Sequence, residues 1–326
     1  MAGFFYVIWP QFKRMERRIA QGQRSETSET SMPFIRLLFV ICLTVVSSLG
    51  PLRAAQAETS YDQHVLLIGE QSALGHRLVR SICFAQAGID VARNRRVIEQ
   101  TRTKISTALL ALTEGTDTIS PITNGNIRTQ IGSVAMVWKG LDKKAVAFLS
   151  GTGLTDEEVL KLTFKSQSLE KLWRNVSQSL ELQTSVNQAP EKLARTRIIT
   201  TATNQSQLLQ EAGKEACLIH LAHASQTGQT ETAQVESLKG ILATFDQNIF
   251  DLTFVRPAQS PIAQPDVLEQ AAFNTWQDWV GLETLFQGII EDPNSQDMIN
   301  LLPDMSFGIE FLDTKLHENI AIFMSL

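Results

Sequence analysis

Two stretches of this chain repeat one another in order. Gln71-Ser72-x-Leu74 recurs as Gln205-Ser206-x-Leu208, and Cys83 recurs as Cys217, both at a separation of 134. Trp138-Lys139-Gly140-Leu141 recurs as Trp279-Val280-Gly281-Leu282 at 141, and Thr155 to Leu162 (TDEEVLKL) recurs as Asn294 to Leu301 (NSQDMINL) at 139. Four matches in register over most of two segments predict two units of like architecture, residues 58–189 and 190–326.

Each copy reads as four helices. In the first, Leu67, Leu74, Leu78, Ile82, Ala85 and Ile89 recur at three- and four-residue spacing, which marks one buried helical face. Helices over Arg95–Leu112, Asn126–Leu149 and Thr155–Gln183 follow. Thr155 and Glu158 have the spacing of a capping box, with Asn294 and Asp297 in the same places of the second copy. Proline-bearing loops precede the third helix of both copies (Pro121; Pro257, Pro261 and Pro265), and Pro190 falls in a first helical turn. No period-two run long enough for a sheet occurs. Long helices on short loops favour antiparallel neighbours, so the expected fold is all-α: two tandem up-down-up-down four-helix bundles related by internal duplication. An even number of passes lets the second bundle stand parallel to the first about a pseudo-two-fold axis.

The front of the chain has another character. Leu37–Leu49 is an uncharged apolar run of 13 residues, too short to span a bilayer comfortably. It reads as the core of a signal peptide over residues 32–57, with Gly50-Pro51 as a helix breaker and Ala55-Gln56-Ala57 as the cleavage site. Export to the periplasm with cleavage after Ala57 is the expectation, and residues 1–31 then read as a non-native or disordered extension. Cys42 lies within the apolar run without a lipobox. Beyond residue 57 the chain carries 22 Lys and Arg against 31 Asp and Glu and no second apolar run of membrane-spanning length. A net-acidic chain without a basic run offers little grip on nucleic acid or anionic lipid.

The segment Ile68-Gly69-Glu70-Gln71-Ser72-Ala73-Leu74-Gly75-His76-Arg77-Leu78 resembles the first-helix signature of the PilJ/NarX-like sensor domain, the N-terminal module of type IV pili methyl-accepting chemotaxis transducers and of nitrate/nitrite sensor kinases. Gly69, Gln71, Leu74 and Arg77 carry the match, and the second copy keeps Gln205 and Leu208 but has Glu211 at the later Arg position. The resemblance implies a helical ligand-sensing bundle, dimeric in relatives, that controls a transmembrane signalling module. Where nitrate sensors place an anion-binding Arg, this chain has Ser72 and Ser206. A hydroxyl offers one donor and no charge where a guanidinium offers a charged planar fork, so nitrate binding by that route is not expected.

On a helical wheel Ser72, His76, Val79 and Cys83 share a stripe opposite Leu74 and Leu78. Its counterpart is Ser206, Gln210, Gly213, Cys217 and His220, and pairing about the pseudo-axis sets the two stripes face to face. A small ligand, an anion among the options, is expected to meet Ser72, His76, Ser206 and Gln210, with Arg77, Arg80 and Lys214 as flanking cations. Cys83 and Cys217 are the disulfide candidates of an exported chain, buried free thiols being the alternative. Cys217, His220 and His223 sweep too far round a helix for a convincing metal set, so no metal and no cofactor are expected. His64 and His317 stand alone, Trp138 and Trp279 read as packing anchors, and the carboxylates read as solvent-facing.

No enzyme signature is present: G-x-x-x-x-G-K-[ST], G-x-S-x-G, H-E-x-x-H and G-x-G-x-x-G are all missing. The expectation is a periplasmic ligand-sensing or binding protein, not an enzyme, without a transmembrane output domain of its own, acting through a membrane receptor or kinase partner. The alternative is a ligand-free helical structural or protein-interaction module of the cell envelope.

Overall fold

The computed structural model describes residues 50–184, 190–224, 228–255, 265–293 and 295–325. The expected extension, the apolar run Leu37–Leu49, Pro257, Pro261 and the Asn294 cap all lie outside these residues. The described chain is all-helical: α1 (Gly50–Gln86), α2 (Val91–Glu114), α3 (Gly125–Leu149), α4 (Asp156–Thr184), α5 (Pro190–Ala224), α6 (Gly228–Phe250), α7 (Pro265–Glu291) and α8 (Gln296–Ser325). A π-helical turn, Asp251–Val255, continues α6. No helix among the described residues is long and apolar enough to cross a membrane.

Local chemistry sets the helix ends. The Asn124 side chain accepts the N–H of Asn126 and of Ile127 and so caps α3. At α4 the Thr155 N–H donates to Glu158 at 3.0 Å and the Glu158 N–H donates to the Thr155 hydroxyl at 3.2 Å, a reciprocal box. Pro190 opens α5, where a missing N–H costs nothing. Gly115, at φ 84°, ends α2, and a Cβ there would stand 2.8 Å from Pro121.

One expectation about a breaker is corrected. Gly50 and Pro51 begin α1 rather than interrupt it, and the helix runs on through Ala57; proline is tolerated in a first turn because its missing N–H has no intrahelical partner there. α8 starts at Gln296 and passes through Pro303.

α1 packs on α2, α4 and most extensively on α5; α5 packs in turn on α6 and α8, with α3 laid on α4 and α7 on α8. The two leading helices thus stand at the centre. Cys83 meets Cys217, and a Cβ on Gly69 would lie 2.9 Å from the Thr203 hydroxyl. Both contacts have the same offset of 134, and a constant difference rather than a constant sum means that α1 and α5 run parallel and in register. The apolar core is continuous across this pair, joining Leu78, Ile82 and Trp173 to Leu209, Phe245, Trp279 and Phe286. A smaller cluster of Ile198, Leu252, Leu268, Ile320 and Phe323 lies among α5, the π-turn, α7 and α8.

Candidate functional site

Because α1 and α5 are enclosed by other helices, their polar residues are buried too. On α5, Gln205 to Gln210 and Ala212 to Ile219 are buried without a break. Most of the predicted residues on these two helices are withdrawn from water. His76, Arg80, Gln210 and Lys214 are fully buried, Ser206 is buried, and Ser72 and Arg77 are half-buried. The expectation of flanking cations is corrected here. Arg80 and Lys214 are core residues, held by carboxylates that the wheel had assigned to solvent.

On the α8 side, Arg80 and Arg77 both donate to the Glu310 carboxylate, the latter at 2.5 Å, and Arg77 lies 3.7 Å from Asp313. The Ser206 hydroxyl donates to Asp313 at 2.5 Å, tying α5 to the same group. Burial pushes the Glu310 carboxyl up, but the charges and hydrogen bonds of Arg80 and Arg77 outweigh it and hold the group at about 2. Burial pushes Arg80 down, and Glu310 offsets part of that. Nearby, burial raises Glu70, with His317 and Lys104 opposing the rise. The two guanidinium charges are therefore already answered within the protein, which disfavours a free anion on this flank.

On the α4 side, His76 Nε2 lies 3.2 Å from Glu170, which also accepts from Arg174. Burial raises Glu170, and His76 and Arg174 overcome it to hold the carboxyl at about 2. Lys214 lies 2.8 Å from the buried Glu215 and 3.8 Å from Glu211. His76, Glu170 and Glu211 present donor atoms that all fall within 4.8 Å of one another. They come from three helices, so spacing along the chain gave no hint of the cluster.

Several buried atoms at the seam have no hydrogen-bond partner among the described residues: both amide atoms of Gln210, Nε and Nη1 of Arg80, and Nδ1 of His76. Such atoms are uncommon in folded proteins, and each costs about 1–3 kcal/mol when left unmade.

Cys83 and Cys217 are disulfide-bonded, with Cα atoms 6.1 Å apart. The bond removes Cys217 from the set with His220 and His223; burial lowers the His220 pKa, and His223 lies 3.6 Å from Glu231. His64 and His317, which stood alone in the sequence, each contact a backbone oxygen at 2.7 Å, of Ser120 and Asp313. Trp138 and Trp279 are buried; Trp279 stacks on Phe245 and donates its indole N–H to Asp246 at 2.7 Å.

Two surface grooves lie away from the seam. One of about 580 Å³ separates α7 from α8 and is lined by Asp266, Gln270, Asn274, Asp278, Lys315 and Glu318 among others. One of about 420 Å³ separates α2 from α3 beside Arg128 and Trp138. The chain matches no protein-family model, no curated protein and no solved structure.

Proposed function

We propose that this protein is an exported sensor or binding module built of two fused four-helix bundles, α1–α4 and α5–α8, that holds a small polar ligand at the α1/α5 seam and conveys occupancy to a separate envelope partner. The observation that carries the reading is the set of buried polar atoms without a hydrogen-bond partner on the two central helices: Nε and Nη1 of Arg80, Nδ1 of His76 and both amide atoms of Gln210. A seam that only packs gains nothing from three such groups, since apolar side chains of similar volume fill a core at least as well. A ligand that completes their bonds recovers the cost. The matched register of α1 and α5, with Cys83 on Cys217 and Gly69 on Thr203, supports the tandem reading. The resemblance of the α1 segment to the PilJ/NarX-like sensor domain points the same way.

A second reading has its own support. The seam is bolted by a disulfide, and Arg77 and Arg80 are matched by Glu310 and Asp313, as in a rigid protein-interaction module without ligand. A thermal-shift screen of amino acids, carboxylic acids, nitrate and other oxyanions separates the two. A ligand of the folded state raises the melting temperature, by about 2.7 kcal/mol of stabilisation at a hundred times its Kd. Under the sensor reading at least one compound shifts the wild type and loses its effect in Gln210→Leu. If none does and a stable partner copurifies, the interaction module stands instead.

A further inference from the structure

On the α4 flank of the seam, His76 of α1, Glu170 of α4 and Glu211 of α5 offer one imidazole nitrogen and two carboxylates within 4.8 Å of one another. His76 is fully buried and Glu170 nearly so, while Glu211 is half-buried and gives the cluster an edge toward solvent. We infer that this trio binds a first-row divalent cation of the zinc class, naming the ligand chemistry for one flank of the seam on the reading given above.

Geometry and donor type agree. Zinc held by N and O donors at about 2.0–2.1 Å places neighbouring donors about 3.3–3.5 Å apart in a tetrahedron. His76 Nε2 and Glu170 Oε2 already stand 3.2 Å apart, and a carboxylate oxygen of the partly exposed Glu211 lies within 4.8 Å of both. A histidine with two carboxylates is a borderline set that suits zinc, whereas calcium and magnesium prefer oxygen alone.

The surroundings carry an excess of negative charge that a cation would offset. His76 Nδ1 is buried without a hydrogen-bond partner among the described residues. The carboxylates of Glu170, Glu211 and Glu215 outnumber the ammonium of Lys214 and the guanidinium of Arg174 beside them. Lys214, 3.8 Å from Glu211, occupies that carboxylate when no metal is bound and must yield it on binding.

Calorimetric titration of the tag-free, chelator-treated full chain with Zn²⁺ tests the inference, with Co²⁺ as a spectroscopic reporter. One equivalent is expected to bind, with Co²⁺ giving a visible d–d band, and Ca²⁺ or Mg²⁺ in excess displacing neither. Glu211→Gln, at a partly exposed position where the fold is safe, and His76→Gln are each expected to weaken binding at least about tenfold and to remove the cobalt band. His223→Ala, near the surface His223–Glu231 pair, is expected to change nothing. Absence of zinc binding, or zinc binding unchanged in Glu211→Gln and His76→Gln, overturns the cation site. A melting shift produced by an organic compound or oxyanion in chelator-treated protein upholds the broader seam reading independently, so the two fail separately.

Discussion

The Arg80 guanidinium of α1, wholly withdrawn from water, is met by the Glu310 carboxylate of α8, 230 residues further along the chain. The contact joins the first half of the molecule to the last helix. Its energetics are asymmetric: a buried pair is close to neutral against a well-packed apolar replacement, whereas half a pair leaves an uncompensated charge. Arg80→Met and Glu310→Leu are therefore each expected to destabilise the fold by about 3–5 kcal/mol, while the two together recover most of that loss. Urea unfolding of the two single variants and the double variant, read as a double-mutant cycle, measures the coupling. Equal and additive losses would mean that the pair is not formed.

The disulfide is the second tie across the seam. Cys83 and Cys217 close a loop of 134 residues, and chain entropy assigns such a closure about 5 kcal/mol through the unfolded state. Reduction with dithiothreitol is expected to lower the urea midpoint, and Cys83→Ser with Cys217→Ser to reproduce that effect without reductant. Non-reducing mass spectrometry should find two hydrogen atoms fewer than in the dithiol chain. A mass that matches free thiols would remove this tie.

Acid should unfold the protein through the same carboxylates. Glu170 and Glu310 are held at about 2, below their ordinary value of 4.5. Groups depressed in the folded state contribute stability that is fully present above the unfolded value and is lost as pH falls toward the folded one. The window is therefore about pH 4.5 to 2, each group adding a slope of up to about 1.4 kcal/mol per pH unit. Glu70 runs the other way, because its raised pKa favours the folded state as pH falls. Unfolding free energies measured across pH 5 to 2.5 should slope downward, and Glu310→Gln should flatten the slope. An unchanged slope in that variant would assign acid lability elsewhere.

The helical class and the capping box at Thr155 and Glu158 were legible because each rests on spacing within one helix. The carboxylates of the seam were not. A wheel assumes that one face of a helix looks at water, and the stretch Ala212–Ile219 of α5 is buried on every face by α1, α6 and α8. Glu215 therefore reads as surface and is core, and Lys214 follows it. Glu310 and Asp313 sit on an ordinary amphipathic helix, but nothing local says that their side turns toward Arg77 and Arg80. The His76, Glu170 and Glu211 cluster needs three helices at once, and only tertiary packing supplies it.

Gly213 offers the sharpest check on how tightly the seam is built. A Cβ added there would stand 2.5 Å from Ile309 Cδ1 and 2.9 Å from Arg80 Cδ. Ile309 is fully buried, and Arg80 is pinned by Glu310 at its far end, so neither can swing aside without disturbing the other. Overpacking of this kind costs about 1–3 kcal/mol, and Gly213→Ala is expected to fall in that range. Gly132 and Gly281 lie within helices and have open space where a Cβ would go, so alanine at either should stabilise by about 0.5–1 kcal/mol. Melting temperatures of the three variants should therefore move in opposite directions, down for Gly213→Ala and up for the other two. A Gly213→Ala protein as stable as its Gly132→Ala and Gly281→Ala counterparts would mean that α5 stands further from Arg80 and α8 than the structure places it.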